Sequence, residues 1–199
     1  MNNDDIAQLA GEFLVVVEDA DAGTSGIRFD DKGLGRVCGS CQACCKLVPV
    51  PSIGKAAGHR CQHQRAGKGC LIHDQRPFAC RTWSCRWISD PKAKALPRPD
   101  RCHYVVDMVL DYVTAKTHDG SAPRQIDVIQ VWVDPDYPDA HRDPKLRAYL
   151  LMMGEKFGCA ALIRYDSRRG FTLFPPALAD DGQWHEMAGR VVAENSPER

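Results

Sequence analysis

"CGSCQACC", residues 38–45, places four cysteines within eight positions, and its reading decides how the rest of the chain is read. Soft thiolates at this density select zinc, iron–sulfur clusters or Cu(I). Cys38, Cys41 and Cys44 recur at intervals of three, so one loop can turn all three sulfurs toward a single metal centre. Cys45 is adjacent to Cys44. In an extended loop neighbouring side chains point apart, so Cys45 faces a second centre or bridges two metals. Cys61, Cys70, Cys80 and Cys85 bring the count in this region to eight thiols. Eight suits two four-ligand sites, and equally one cluster plus one structural zinc. Spacing does not say which thiol belongs to which site.

The alternative use of so many cysteines is a disulfide framework. Two features weigh against it. Adjacent Cys44 and Cys45 cannot easily bond each other, and a framework has no use for four thiols on one short loop. The N-terminus, "MNNDDIAQLA", is acidic and lacks the basic start of a secretory signal. No stretch approaches the ~20 apolar residues that span a bilayer. The expected compartment is therefore the cytosol, where dense cysteines serve metals or redox chemistry.

Charge is distributed to match. The 199-residue chain is formally neutral, yet residues 36–88 hold nine cations and one acid, Asp74, a net +8. The remainder is −8. Cations beside thiols lower their pKa and stabilise the negative charge of thiolate centres. Much of the basic excess is thus expected to neutralise the sites, with some left to attract an anionic partner. A membrane partner is not expected and a nucleic acid is disfavoured; a protein partner stays open.

The organisation follows from composition. Residues 1–35 read as an N-terminal helix and loop, with Ile6, Leu9, Ala10, Phe13, Leu14 and Val17 at helical spacing. Residues 36–88 form an irregular cysteine-rich module, rich in Gly and Pro, poor in apolar runs and in need of metal to fix it. Residues 89–101, "SDPKAKALPRPDR", are a Pro-rich linker. Residues 102–199 read as an α+β scaffold. "HYVVDMVLDYV" (103–113) and "IDVIQVWV" (126–133) look like strands, and "AALIRYD" (160–166) with "GFTLFP" (170–175) like a hairpin. "DPKLRAYLLMMGEKFG" (143–158) carries a Pro at its first turn and a closing Gly, the marks of a helix. A last short helix is expected over "DGQWHEMAGRVVAE" (181–194). The fold class is α+β: the cysteine module packed on a small, antiparallel sheet with a few helices.

The run Cys38-x2-Cys41-x2-Cys44-Cys45, followed by "GCLIHDQRPFACRTWSCRW" (69–87), resembles the CxxCxxCC or YkgJ-type family of zinc- or iron-chelating domains. The matching positions are Cys38, Cys41, Cys44, Cys45, Cys61, Cys70, Cys80 and Cys85, with Arg76-Pro77 and Cys80-Arg81. His73 departs from the pattern, where a Tyr is common. The resemblance covers about residues 36–88, a quarter of the chain, and implies metal chelation by the eight cysteines. One relative, the flagellin lysine N-methylase, carries the domain in a larger chain, with an iron–sulfur cluster and S-adenosylmethionine implicated in methyl transfer. The similarity stops at the module and reaches no substrate site.

Other residues carry blander expectations. Cys102 lies outside the family pattern, and Cys159 in "FGCAALI" reads as a small buried hydrophobe. His59, His63 and His73 read as surface or supporting groups, and Arg76 and Arg81 as structural. Trp83 and Trp87, four apart on an expected short helix, should pack the module against the scaffold. "GLGRVCG" and "AGKGC" are neither dinucleotide nor phosphate loops, and no hydrolase or metalloprotease signature is present. The function expected is a cytosolic metal-binding protein holding zinc or an iron–sulfur cluster through eight cysteines. The alternatives are an iron–sulfur enzyme of redox or S-adenosylmethionine-dependent methyl-transfer chemistry, and a zinc-stapled module binding an anionic partner.

Overall fold

The computed structural model describes residues 15–17, 26–28, 34–115 and 124–188. Two short N-terminal strands, β1 (Val15–Val17) and β2 (Gly26–Arg28), pair antiparallel. The expected N-terminal helix is not continuous through Val17: the β-branched run Val15–Val17 is strand, the conformation such side chains favour. The other positions of that helix lie outside the described residues.

The cysteine region follows as short elements: α1 (Ala43–Leu47), the two-residue strands β3 (Gln64–Arg65) and β4 (Gly69–Cys70), then α2 (Phe78–Thr82) and α3 (Arg86–Ser89). Residues 89–101 cross to the scaffold through a 3-10 turn, Pro91–Ala95, and α4 (Pro99–Cys102). This stretch is packed in place, with Ala93 and Leu96 in the main core.

The scaffold is a five-stranded sheet in the order β5 (Tyr104–Ala115), β6 (Arg124–Val133), β7 (Ala160–Arg164), β8 (Gly170–Phe174), β9 (His185–Met187). The α+β class stands. All strand pairs are antiparallel except β6–β7, which run parallel. The reason is the helix α5 (Pro144–Phe157), which lies between them in sequence: a crossover helix returns the chain to the same end of the sheet. Its signals act as the sequence indicates. Asp143 caps the start by accepting from the Lys145 N–H at 2.7 Å, and Gly158 ends it at φ 65°.

One expectation fails at the C-terminal end. Within 181–194, residues His185–Met187 form β9, not helix, and pair with the otherwise open edge of β8. Residues 189–194 lie outside the described residues.

Alternation along β6 divides the core. Ile129, Val131 and Val133 face α5, where Leu146, Tyr149, Leu150 and Met153 pack on them with Tyr104, Ile163 and Leu173. Trp132 faces the opposite side and, with Val105, receives Leu47, Ala57 and Cys85 from the cysteine region. The module thus has no core of its own; it borrows one face of the sheet. Among the described residues no helix is long and apolar enough to cross a membrane.

Candidate metal centre

Residues 38–45 are a tight turn running into α1: the Cys41 N–H donates to the Cys38 carbonyl at 2.8 Å, and the Cys45 N–H to Gln42 at 3.1 Å. The Cys61 N–H donates to the Cys45 carbonyl at 2.9 Å, which brings the next loop alongside α1. The β3–β4 hairpin then sets Gln64 opposite Cys70, and the Gln64 N–H donates to the Cys61 carbonyl at 3.0 Å. Cys80 lies in α2. Cys85 sits just before α3 and forms an isolated antiparallel bridge with Asp107 on β5.

Charge–charge interactions link these thiols. Cys44 interacts with Cys85 and Cys38, and Cys85 with Cys38 and Cys41. Cys80 interacts with Cys45, Cys61 and Cys70. The charge on Cys44 and Cys85 is thus felt chiefly with Cys38 and Cys41, and that on Cys80 with Cys45, Cys61 and Cys70. Adjacent Cys44 and Cys45 influence each other most strongly, Cys45 being held down and Cys44 pushed up.

All ten cysteines are free thiols. Among the described residues, no three Cys, His, Asp or Glu side chains converge as a group that could hold a metal ion as they stand. The donor chemistry of the eight thiols nonetheless matches four-thiolate centres: soft ligands of one type, on loops and one-turn helices.

The protonation balance is uneven. Accepting from Cys44 holds the Cys45 thiol down at about 7, against the opposing effect of burial, with help from the Lys55 and Arg76 cations. Donating to Cys45, together with burial, raises Cys44 well above the ordinary thiol range. Burial pushes Cys85 up to about 12 and also raises Cys41 and Cys80. Deprotonating the buried thiols therefore needs a cation to replace the proton, which is what a bound metal supplies.

The remaining candidates are placed elsewhere. Cys102 is buried in the main core, its thiol 3.5 Å from the Arg98 carbonyl, and Cys159 is buried in the same core. His59 meets the Ala57 carbonyl at 3.0 Å, His63 the Gln62 side chain and His73 the Asp74 carboxylate. Arg76 donates to the His73 carbonyl, a structural bond, while its charge reaches Cys45 and Cys80. Arg81 is exposed. Trp83 and Trp87 do pack the module on the sheet, but from two different elements: Trp83 follows α2 and Trp87 lies in α3.

Three features carry no signal in the sequence. Asp107, buried on β5, accepts from the Trp83 indole N–H at 2.7 Å and from that of Trp132 at 3.0 Å, so one carboxylate ties the module to the sheet. Lys46 of α1 pairs with Asp134 at 2.6 Å and Asp136 at 2.7 Å beyond β6. Lys55 is buried, and the charges that act on it are those of Cys61, Cys45, Cys44 and Cys80. The partners of Asp107 and Lys46 are distant in sequence, and the burial of Lys55 is set by the loop that returns to α1.

Comparison with protein-family models, curated proteins and solved structures finds no match to this chain.

Proposed function

We propose that the chain is a cytosolic metal-binding protein that holds two four-thiolate centres, zinc or iron–sulfur. Cys38, Cys41, Cys44 and Cys85 would serve one centre, and Cys45, Cys61, Cys70 and Cys80 the other. The observation that carries this reading is the gathering of eight thiols within residues 38–85, where Cys44 and Cys85 interact with Cys38, and Cys80 with Cys45, Cys61 and Cys70. The resemblance to YkgJ-type chelating domains supports the same eight residues.

Zinc in such a site staples loops that lack a core, and an iron–sulfur cluster adds electron transfer. The chain's own residues supply the thiolates, the cations that offset their charge and, through Trp83, Cys85 and Trp87, the anchor to the sheet. A second reading, recruitment of an anionic partner, draws support from the exposed Leu71 and Phe78, 55% and 59% accessible, beside exposed Arg65, Lys68 and Arg81. It is compatible with the first.

The test is metal analysis and absorption spectroscopy on protein purified without oxygen. Two zinc per chain and no visible band would support closed structural centres. Iron, sulfide and a broad visible band would support a cluster, and S-adenosylmethionine binding then becomes the test of the methyl-transfer alternative. Ten free thiols and no metal would refute the proposal.

A further inference from the structure

Helix α2 carries Phe78 and Arg81 three residues apart, so both side chains rise from the same side of one helical turn. Phe78 is 59% exposed and Arg81 is exposed, and among the described residues no carboxylate pairs with Arg81. Leu71, which follows β4, is 55% exposed, and the chain from it to α2 runs through the exposed turn His73–Gln75. Large apolar side chains left in water beside a cation form a face suited to an apolar, acidic segment.

The fold brings one such segment to this face. Strand β2 (Gly26–Arg28) lies against α2 (Phe78–Thr82) and pairs antiparallel with β1, Val15 standing opposite Arg28. The chain before Val15 therefore meets the described fold one strand beyond the strand that touches α2, about 5 Å further. Residues 1–14 lie outside the described residues, and their sequence complements the face. They hold Asp4, Asp5 and Glu12 and no Lys or Arg, whereas residues 36–88 are net +8. Ile6, Leu9, Ala10, Phe13 and Leu14 recur at helical spacing. On a helix those five would share one side, and Asp5 and Glu12, seven apart, would line one edge of it. Such a helix would be about 21 Å long, against about 8 Å for α2.

We propose that residues 1–14 dock in cis on the face presented by Leu71, Phe78 and Arg81, their apolar side covering Leu71 and Phe78 and their acidic edge meeting Arg81. The segment thereby occupies the surface that an anionic partner would use, and such a partner has to displace it. The inference is independent of the metal reading, because it needs the position of α2 and not what the thiols bind.

The test uses the full chain as purified. Hydrogen exchange of residues 1–14 is followed by mass spectrometry, with a synthetic peptide of the same sequence as the unprotected reference. In wild type, amides of residues 6–14 should exchange at least about 10-fold more slowly than in the peptide, the protection of a contact formed about nine-tenths of the time. Phe78→Asp should return them to peptide rates. So should Leu9→Asp, which leaves the cysteine region untouched and so controls for damage to α2. Arg81→Glu should lose part of the protection, and adding Asp5→Lys with Glu12→Lys should restore it.

Peptide-rate exchange in wild type would overturn the proposal and leave the face to an acidic protein partner. Wild-type protection in Phe78→Asp would also overturn it, since the segment would then dock elsewhere on the body. No recovery on reversing both charges would overturn the pairing with Arg81. Protection that falls on dilution, together with a dimer in sedimentation velocity, would overturn docking in cis and assign the face to the segment of a second copy. Full protection in protein that holds no metal would support this inference while refuting the two-centre reading.

Discussion

Replacing Asp107 with Ala should separate the cysteine module from the sheet more effectively than removing any one apolar contact between them. The carboxylate is buried and accepts from two indole N–H groups, Trp83 at 2.7 Å and Trp132 at 3.0 Å. Alanine leaves both donors without that acceptor, Trp132 at a buried position and Trp83 at a partly buried one. Each orphaned donor costs about 1–3 kcal/mol, so the loss should be about 2–6 kcal/mol. That is a large part of the stability of an ordinary domain, about 5–15 kcal/mol. Urea unfolding followed by tryptophan fluorescence reads it, because two of the reporting indoles are the ones released. Trp83→Phe removes one donor but leaves the carboxylate bonded to Trp132, so it should cost less. Asp107→Asn, with one acceptor oxygen in place of two, should fall between wild type and alanine. A loss below about 1 kcal/mol in Asp107→Ala would refute the reasoning, since that is the low end for a single orphaned donor.

Other outcomes follow from the same geometry. Cys41→Ser should lower bound metal by one centre in elemental analysis, whereas Cys159→Ser, whose thiol is buried in the main core, should leave it unchanged. In metal-free protein, alkylation of Cys45 should accelerate as pH rises through about 7, because its thiolate forms there. Cys85, held protonated up to about 12, should stay slow across the same range, which peptide mass spectrometry reads. Leu150→Ala should cost about 2–5 kcal/mol in urea unfolding, as expected for a fully buried leucine of α5. Gly154→Ala should also destabilise, by about 1–3 kcal/mol, because an added methyl would stand 2.5 Å from Pro175.

The sequence was most informative where chemistry is local. Helix α5 announces itself through Asp143, Pro144, its apolar spacing and Gly158, and the long strands through β-branched runs. The eight thiols of residues 38–85 mark themselves by density alone. Where each lies in the fold was not legible, because it depends on tertiary structure: the Cys61 N–H on the Cys45 carbonyl, the hairpin register at Cys70, and the bridge that takes Cys85 to β5. Strand β9 was misread for a related reason. "WHEM" has no strand pattern of its own, and the unpaired edge of β8 decides its conformation. The parallel β6–β7 pair likewise comes from a crossover and not from either strand's composition. Asp107 and Lys55 look like ordinary charged residues until tertiary structure buries them.

The borrowed face of the sheet bears on portability. Leu47, Ala57 and Cys85 are buried in one cluster with Val105 and Trp132 of the sheet. A fragment of residues 36–88 would keep all eight of its cysteines yet expose the apolar side of its own loops. Grafted onto another protein, it would need a host strand offering an aliphatic residue, a tryptophan and a carboxylate in the spatial arrangement of Val105, Trp132 and Asp107. Shuffling of this segment between proteins would therefore be constrained less by its cysteines than by the strand pair that receives it.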